Sequence, residues 1–118
     1  MSYDLHLCDP ETGKPVQVKE RHFVVGGTYA IGGTNELWLS VTYNYAPHFH
    51  KVLGENGIRS IYGMTGRESI PVLEAAADQL GRDETDDYWE PTEGNARAAL
   101  LNLVRLAKMA PDGVWNGD

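Results

Sequence analysis

The residues with chemistry to offer concentrate in one stretch, Thr42-Tyr43-Asn44-Tyr45-Ala46-Pro47-His48-Phe49-His50-Lys51. It follows an apolar strand pattern and opens a helix pattern. A strand-to-helix junction leaves backbone N–H groups without intrahelical partners at the positive end of the helix dipole, so polar side chains there can converge on an anion. Tyr43, Asn44, Tyr45 and His48 are the expected contacts. Each has a structural alternative: Asn44 as a cap for the helix, His48 as a ring that hydrogen-bonds a buried polar group. No metal is expected here. Pro47 favours a helix, on which side chains two apart point about 200° away from each other so that His48 and His50 cannot share one ion, whereas on an extended segment they would share a face and could.

Arg59 and Arg67 flank Tyr62-Gly63-Met64-Thr65-Gly66, a glycine-bounded loop. With Lys51 they concentrate the positive charge in the middle of the chain. Cations beside large aromatics (Tyr43, Tyr45, Tyr62, Trp89) fit an anionic, nucleotide-like ligand, so Arg59, Tyr62 and Arg67 are expected to complete the pocket. The same aromatics also suit a core that uses tyrosine hydroxyls. The doubled triplet Gly26-Gly27-Thr28 and Gly32-Gly33-Thr34 reads either as an anion cradle or as plain turn geometry, and no lysine stands at phosphate-loop spacing.

The chain of 118 residues carries a net charge of −7, which argues against a nucleic-acid backbone as partner. The acid is concentrated. Asp83, Glu84, Asp86, Asp87, Glu90 and Glu93 fall close together, and no Lys or Arg lies between Arg82 and Arg97. This segment reads as a solvated loop or as a decoy for a basic protein partner, with Asp83, Glu84, Asp86 and Asp87 as contacts.

Enzymatic patterns are missing: no Gly-x-Ser-x-Gly, no His-Glu-x-x-His and no cysteine at metal spacing. A small hydrolase of phosphate compounds, with His48 or His50 as acid or base, is the third reading. No catalytic residue is assigned and no cofactor is expected. Cys8 cannot form an internal bridge, in keeping with a reducing compartment and a small half-buried side chain.

The elements that must position these residues run from strands to helices. Tyr3 to Leu7 and Val16 to Lys19 alternate across turn chemistry at Asp9-Pro10-Glu11-Thr12-Gly13, a hairpin pattern. Glu36 to Tyr43 is the strongest strand, with Leu37, Leu39, Val41 and Tyr43 on one face. Pro47 and Gly54 bracket a short helix. Thr65 to Glu68 has capping-box spacing, Ser69 offers a second cap before Pro71, and an apolar stripe runs from Ile70 to Leu80, closed by Gly81. Thr92 caps a last helix with Ala96, Ala99, Leu100, Leu103, Leu106 and Ala107 on one face, stopped by Pro111-Asp112-Gly113. Trp115 in the short tail is expected to pack back on the body.

The expectation is one α+β domain over 1–118: antiparallel strands over about 3–43, then about three helices over 47–110 on one face of the sheet. A hydrophobic fraction of 42% and a charged fraction of 23% are those of a globular protein. No apolar run is long enough to cross a bilayer, and Met1-Ser2-Tyr3-Asp4 lacks a leader's basic head and apolar stretch, so the expected place is the cytoplasm.

Several stretches carry a resemblance: Tyr3-Asp4-Leu5, Cys8-Asp9-Pro10, Gly26-Gly27-Thr28-Tyr29, Val41-Thr42-Tyr43-Asn44-Tyr45, Ile61-Tyr62-Gly63, Asp87-Tyr88-Trp89 and Pro111-Asp112-Gly113-Val114-Trp115. They resemble small uncharacterised proteins of bacteriophages and prophage-bearing bacteria. The likeness, with Thr42-Tyr43-Asn44-Tyr45 as its centre, spans most of the chain. The middle section is also similar to a broader phage-type family marked by Ile-Thr-His-Asn; Tyr43 stands where that pattern has histidine, so no histidine role is carried over. The resemblance implies the cytoplasm of a bacterial host and interference with host defence, by capturing a nucleotide signal or, in an anti-CRISPR-like manner, by blocking an immune protein. The leading expectation is a non-enzymatic, homo-oligomeric binding protein for a small anionic ligand. The alternative is an acidic inhibitor of a host defence protein.

Overall fold

A computed structural model describes residues 2–27 and 30–118; Met1, Thr28 and Tyr29 lie outside the described residues, and with them part of the first Gly-Gly-Thr triplet. The order is β1 (Ser2–Cys8), β2 (Gln17–His22), β3 (Thr34–Glu36), β4 (Trp38–Thr42), α1 (Ala46–Leu53), α2 (Gly66–Asp78), α3 (Glu93–Met109) and β5 (Val114–Gly117). Short 3-10 turns at Tyr43–Tyr45 and Gly57–Ile61 lead into and follow α1.

The period-2 pattern of β1 decides the architecture. Tyr3, Leu5 and Leu7 are buried on one face, and the antiparallel register sets Tyr3 opposite Val41, Leu5 opposite Leu39 and Leu7 opposite Trp115. Directly opposed residues share a face, so these pairs form the floor on which the helices pack. The sheet order is β4-β1-β5. The fold is α+β, with α2 and α3 lying against each other over this floor.

The hairpin expected between residues 3–7 and 16–19 is corrected. β1 takes β4 and β5 as its partners, and β2 pairs instead with β3 in a separate two-stranded ladder. Only Cys8 and Pro15 bridge across the Asp9–Gly13 turn, because the core face of β1 is matched by the apolar faces of β4 and β5, whereas β2 is largely exposed. The ladder is held by His22, whose Nε2 donates to Glu36 O at 2.6 Å while its Nδ1 accepts from Val24 N.

Helix ends follow the sequence signals closely. Thr65 and Glu68 make the reciprocal capping box, Thr92 Oγ1 accepts from Asn95 N, and Pro47 sits in the first turn of α1. Ser69 is not a cap. It lies inside α2, fully buried, donating to Gly66 O at 2.8 Å and accepting from Trp115 Nε1 at 2.8 Å. Trp115 packs back as expected, but as a residue of a strand. β5 adds to the sheet edge beside β1 and is bonded on its other side by Met64 O and Gly63 N.

The glycine pairs are turn and packing devices. A Cβ on Gly26 would stand 1.7 Å from Ser40 O, so only glycine lets this segment press against β4. Gly32 and Gly33 take φ of 93° and 90°, the region that favours glycine.

Candidate functional site

The chemistry-bearing junction is tied to the acidic segment between α2 and α3. Asn44 Nδ2 donates to Trp89 O at 2.8 Å, and His48 Nε2 donates to Pro91 O at 2.8 Å. The Tyr45 hydroxyl donates to Tyr88 O, its ring is fully buried, and burial pushes its pKa up. Three of the four residues expected to greet a ligand are therefore engaged in holding a loop. Asn44 is not the helix cap either: Thr42 Oγ1 accepts from Asn44 N and caps the 3-10 turn.

The loop is anchored from the other side by residues whose role the linear pattern did not reveal. Asn95 is 5% exposed. Its Oδ1 accepts from Thr85 N, and its Nδ2 donates to Thr85 Oγ1, Asp87 O and Glu90 O. The Tyr88 hydroxyl accepts from Thr42 N and donates to Ser40 O, both at 3.0 Å. It thereby covers part of the open edge of β4. Gly94 lies so close to the loop that a Cβ would stand 2.2 Å from Glu84 N. A polar Asn95 beside the Ala96 stripe, and Tyr88 within an acidic run, were the signals available in the sequence.

The carboxylates divide into two groups. Asp83 Oδ1 accepts from Gly94 N at the start of α3, Asp87 Oδ1 accepts from Trp89 N, and Glu93 accepts from Gly81 N and pairs with Lys51 at 2.8 Å. Glu84, Asp86 and Glu90 have exposed side chains whose carboxylates make no hydrogen bond or ion pair within the chain, among the described residues. Trp89 of the same loop is 49% exposed, with its ring against Tyr88 and close to Gly27. The result is a loop with a braced backbone and three exposed, uncompensated carboxylates.

Replacing Tyr88 with phenylalanine tests the edge contact. Ser40 and Thr42 are buried, so their stranded backbone groups should cost about 1–3 kcal/mol, read as a lower urea midpoint. A pH effect follows from Glu93. Hydrogen bonds from Lys51 and from Gly81 N hold its carboxyl below the ordinary range. A lowered folded pKa stabilises above the unfolded value of about 4.3 and is lost as pH falls through the folded one. The protection factor at Gly81, the exchange rate relative to its intrinsic rate at each pH, should therefore hold above the unfolded value of about 4.3 and fall as pH drops below it.

The remaining predicted residues lie elsewhere. Tyr43 meets the Tyr3 ring edge-on at 4.5 Å between centroids, and the Arg59 guanidinium lies 4.9 Å from that same ring centroid. Arg59 Nε donates to Asp118 O at 2.8 Å, and the Tyr62 hydroxyl reaches the same oxygen at 3.5 Å. Burial, with Asp118 nearby, pushes Tyr62 up to about 12. Arg67 is apart from both groups, paired with Asp112 at 2.9 Å. Thus Tyr43, Arg59 and Tyr62 share one neighbourhood, Asn44, Tyr45 and His48 another, and Arg67 joins neither.

His48 and His50 each commit a ring nitrogen to a backbone carbonyl. Among the described residues no group of acidic, histidine or cysteine side chains is arranged to hold a metal ion, and no helix is long and apolar enough to cross a membrane. Where α3, β4 and the acidic loop meet, a half-open cavity of about 170 Å³ is lined by Leu39, Val41, Ala98 and Ala99 with Glu84 and Asp86. No family model, no curated protein and no solved structure matches this chain.

Proposed function

We propose that the chain is a non-enzymatic binding protein that captures a basic protein partner on the braced loop 83–93, as an inhibitor of a host defence protein would occupy a nucleic-acid-binding face. One observation carries this reading. The loop backbone and three of its carboxylates are held internally, while Glu84, Asp86 and Glu90 are exposed and unpaired among the described residues, and Trp89 of the same loop is half-exposed. A long segment without regular structure is uncommon in a small domain unless it works, and a pre-ordered one avoids the ordering cost of binding. Exposed carboxylates steer a cationic partner, and a tryptophan is a frequent anchor. The phage resemblance and the net charge of −7 support the same reading. Residence in a bacterial host's cytoplasm and homo-oligomeric assembly belong to the proposal.

We assign the contacts to Glu84, Asp86 and Glu90 rather than to Asp83 and Asp87, because Asp83 and Asp87 already accept hydrogen bonds from Gly94 N and Trp89 N. Calorimetric titration with a nine-arginine peptide tests this. The variant Glu84→Gln/Asp86→Asn/Glu90→Gln should bind at least about tenfold more weakly at low salt, with an unchanged melting profile. Equal binding by the two proteins defeats the reading.

A small anionic, nucleotide-derived ligand is the second reading. It is favoured by the Arg59 guanidinium beside Tyr3 and Tyr43, with Tyr62 close to the same carboxyl-terminal oxygen. A base stacked on an aromatic with its phosphate on arginine would use this chemistry. Heat on titration with a panel of cyclic and linear nucleotides, abolished by Arg59→Ala, would support it; no heat from folded protein would count against it.

A further inference from the structure

Building on the basic-partner reading, we infer that the cavity beside β4 is the socket for a single arginine or lysine side chain of that partner. The cavity, about 170 Å³, has an apolar part formed with Val41, Ala98 and Ala99, and the exposed acids Glu84 and Asp86 also line it; among the described residues no Lys or Arg lines it. A cavity of roughly 150 Å³ takes one benzene-sized guest, so the space suits one side chain and not a folded segment. Arginine and lysine carry an apolar stem and a charged head, the two chemistries this lining offers together. Among the described residues neither carboxylate has a hydrogen-bond or ion-pair partner, so the incoming cation meets uncompensated charge. Asn102, also in the lining, has its amide oxygen accepting from Arg105 Nη1 at 3.4 Å, so an incoming cation is drawn by the two acids rather than by this amide. An anion would face repulsion here, and a purely apolar guest would leave both acids unused.

Agmatine, a guanidinium on a four-carbon chain with a terminal ammonium, is the probe, followed by amide resonances of the intact protein. Saturable shifts are expected at Thr85, Ala98 and Asn102, and Glu84→Gln/Asp86→Asn should weaken binding by at least about tenfold. Filling the space with Ala98→Met should do the same without touching a charge; Asn102→Leu replaces it if Ala98→Met does not fold. Glu90 is not among the lining residues, so Glu90→Gln should leave agmatine binding unchanged while weakening the nine-arginine peptide. No saturable shift, or undiminished binding after filling, overturns the socket. If the nine-arginine peptide still binds in that case, the acidic-surface reading stands without it; if neither probe binds, both readings fall.

Discussion

Replacing Asn95 with alanine should detach the acidic loop from the body while α2 and α3 stay folded. The substitution removes the Oδ1 acceptor of Thr85 N and the two amide N–H groups shared by Thr85 Oγ1, Asp87 O and Glu90 O at one buried site. At a net value of roughly 0.5–1.5 kcal/mol each, partly overlapping, the loop should lose about 2–4 kcal/mol of its local stability. Thr85 N would lose its acceptor, and the carbonyls of Asp87 and Glu90 would lose a buried donor. Hydrogen exchange is the direct reading: protection at Thr85 should collapse, while amides in the middle of α3 should change little. The helix cap itself is spared, because Thr92 Oγ1 accepts from the backbone N–H of residue 95 and alanine keeps that group.

Trp115→Ala should be the most damaging single change to the fold. The ring is 1% exposed, and its Nε1 donates to Ser69 Oγ across the sheet–helix interface. Truncating a buried tryptophan costs about 3–5 kcal/mol, a large share of the 5–15 kcal/mol that holds a typical domain together. The urea midpoint should fall steeply with the slope nearly unchanged. Trp115→Phe separates the contributions. It keeps most of the packing and removes the indole donor, while Ser69 Oγ retains its own bond to Gly66 O. A loss of about 1 kcal/mol is then expected.

The helices were legible because their signals are local. Thr65 with Glu68, Thr92 with Glu93, and Pro47 all act within one turn, and each performs the role its spacing predicts. Sheet pairing was less legible. Residues 3–7 and 16–19 both alternate, yet alternation does not name a partner, and β1 found β4 some thirty-five positions away and β5 beyond a hundred. The site was harder still. Asn44 and His48 stand out in the sequence as polar groups at the strand-to-helix junction and were expected to meet a ligand, but their acceptors, Trp89 O and Pro91 O, are backbone atoms in a distant loop. Side-chain-to-backbone bonds leave no complementary residue type for a reader to find. The acidic run was visible as charge; only the fold divides it into acids that hold the loop and acids left exposed and unpaired among the described residues.

A titration with the nine-arginine peptide at low salt, run on three proteins of intact core, bears most directly on whether loop 83–93 is a pre-ordered surface for a basic partner. Glu84→Gln/Asp86→Asn/Glu90→Gln keeps the bracing and removes the exposed charge; Asn95→Ala keeps the charge and removes the bracing. Both should bind more weakly than the natural sequence, the first through lost attraction and the second through the cost of ordering the loop. Affinity undiminished in either variant would contradict the proposal.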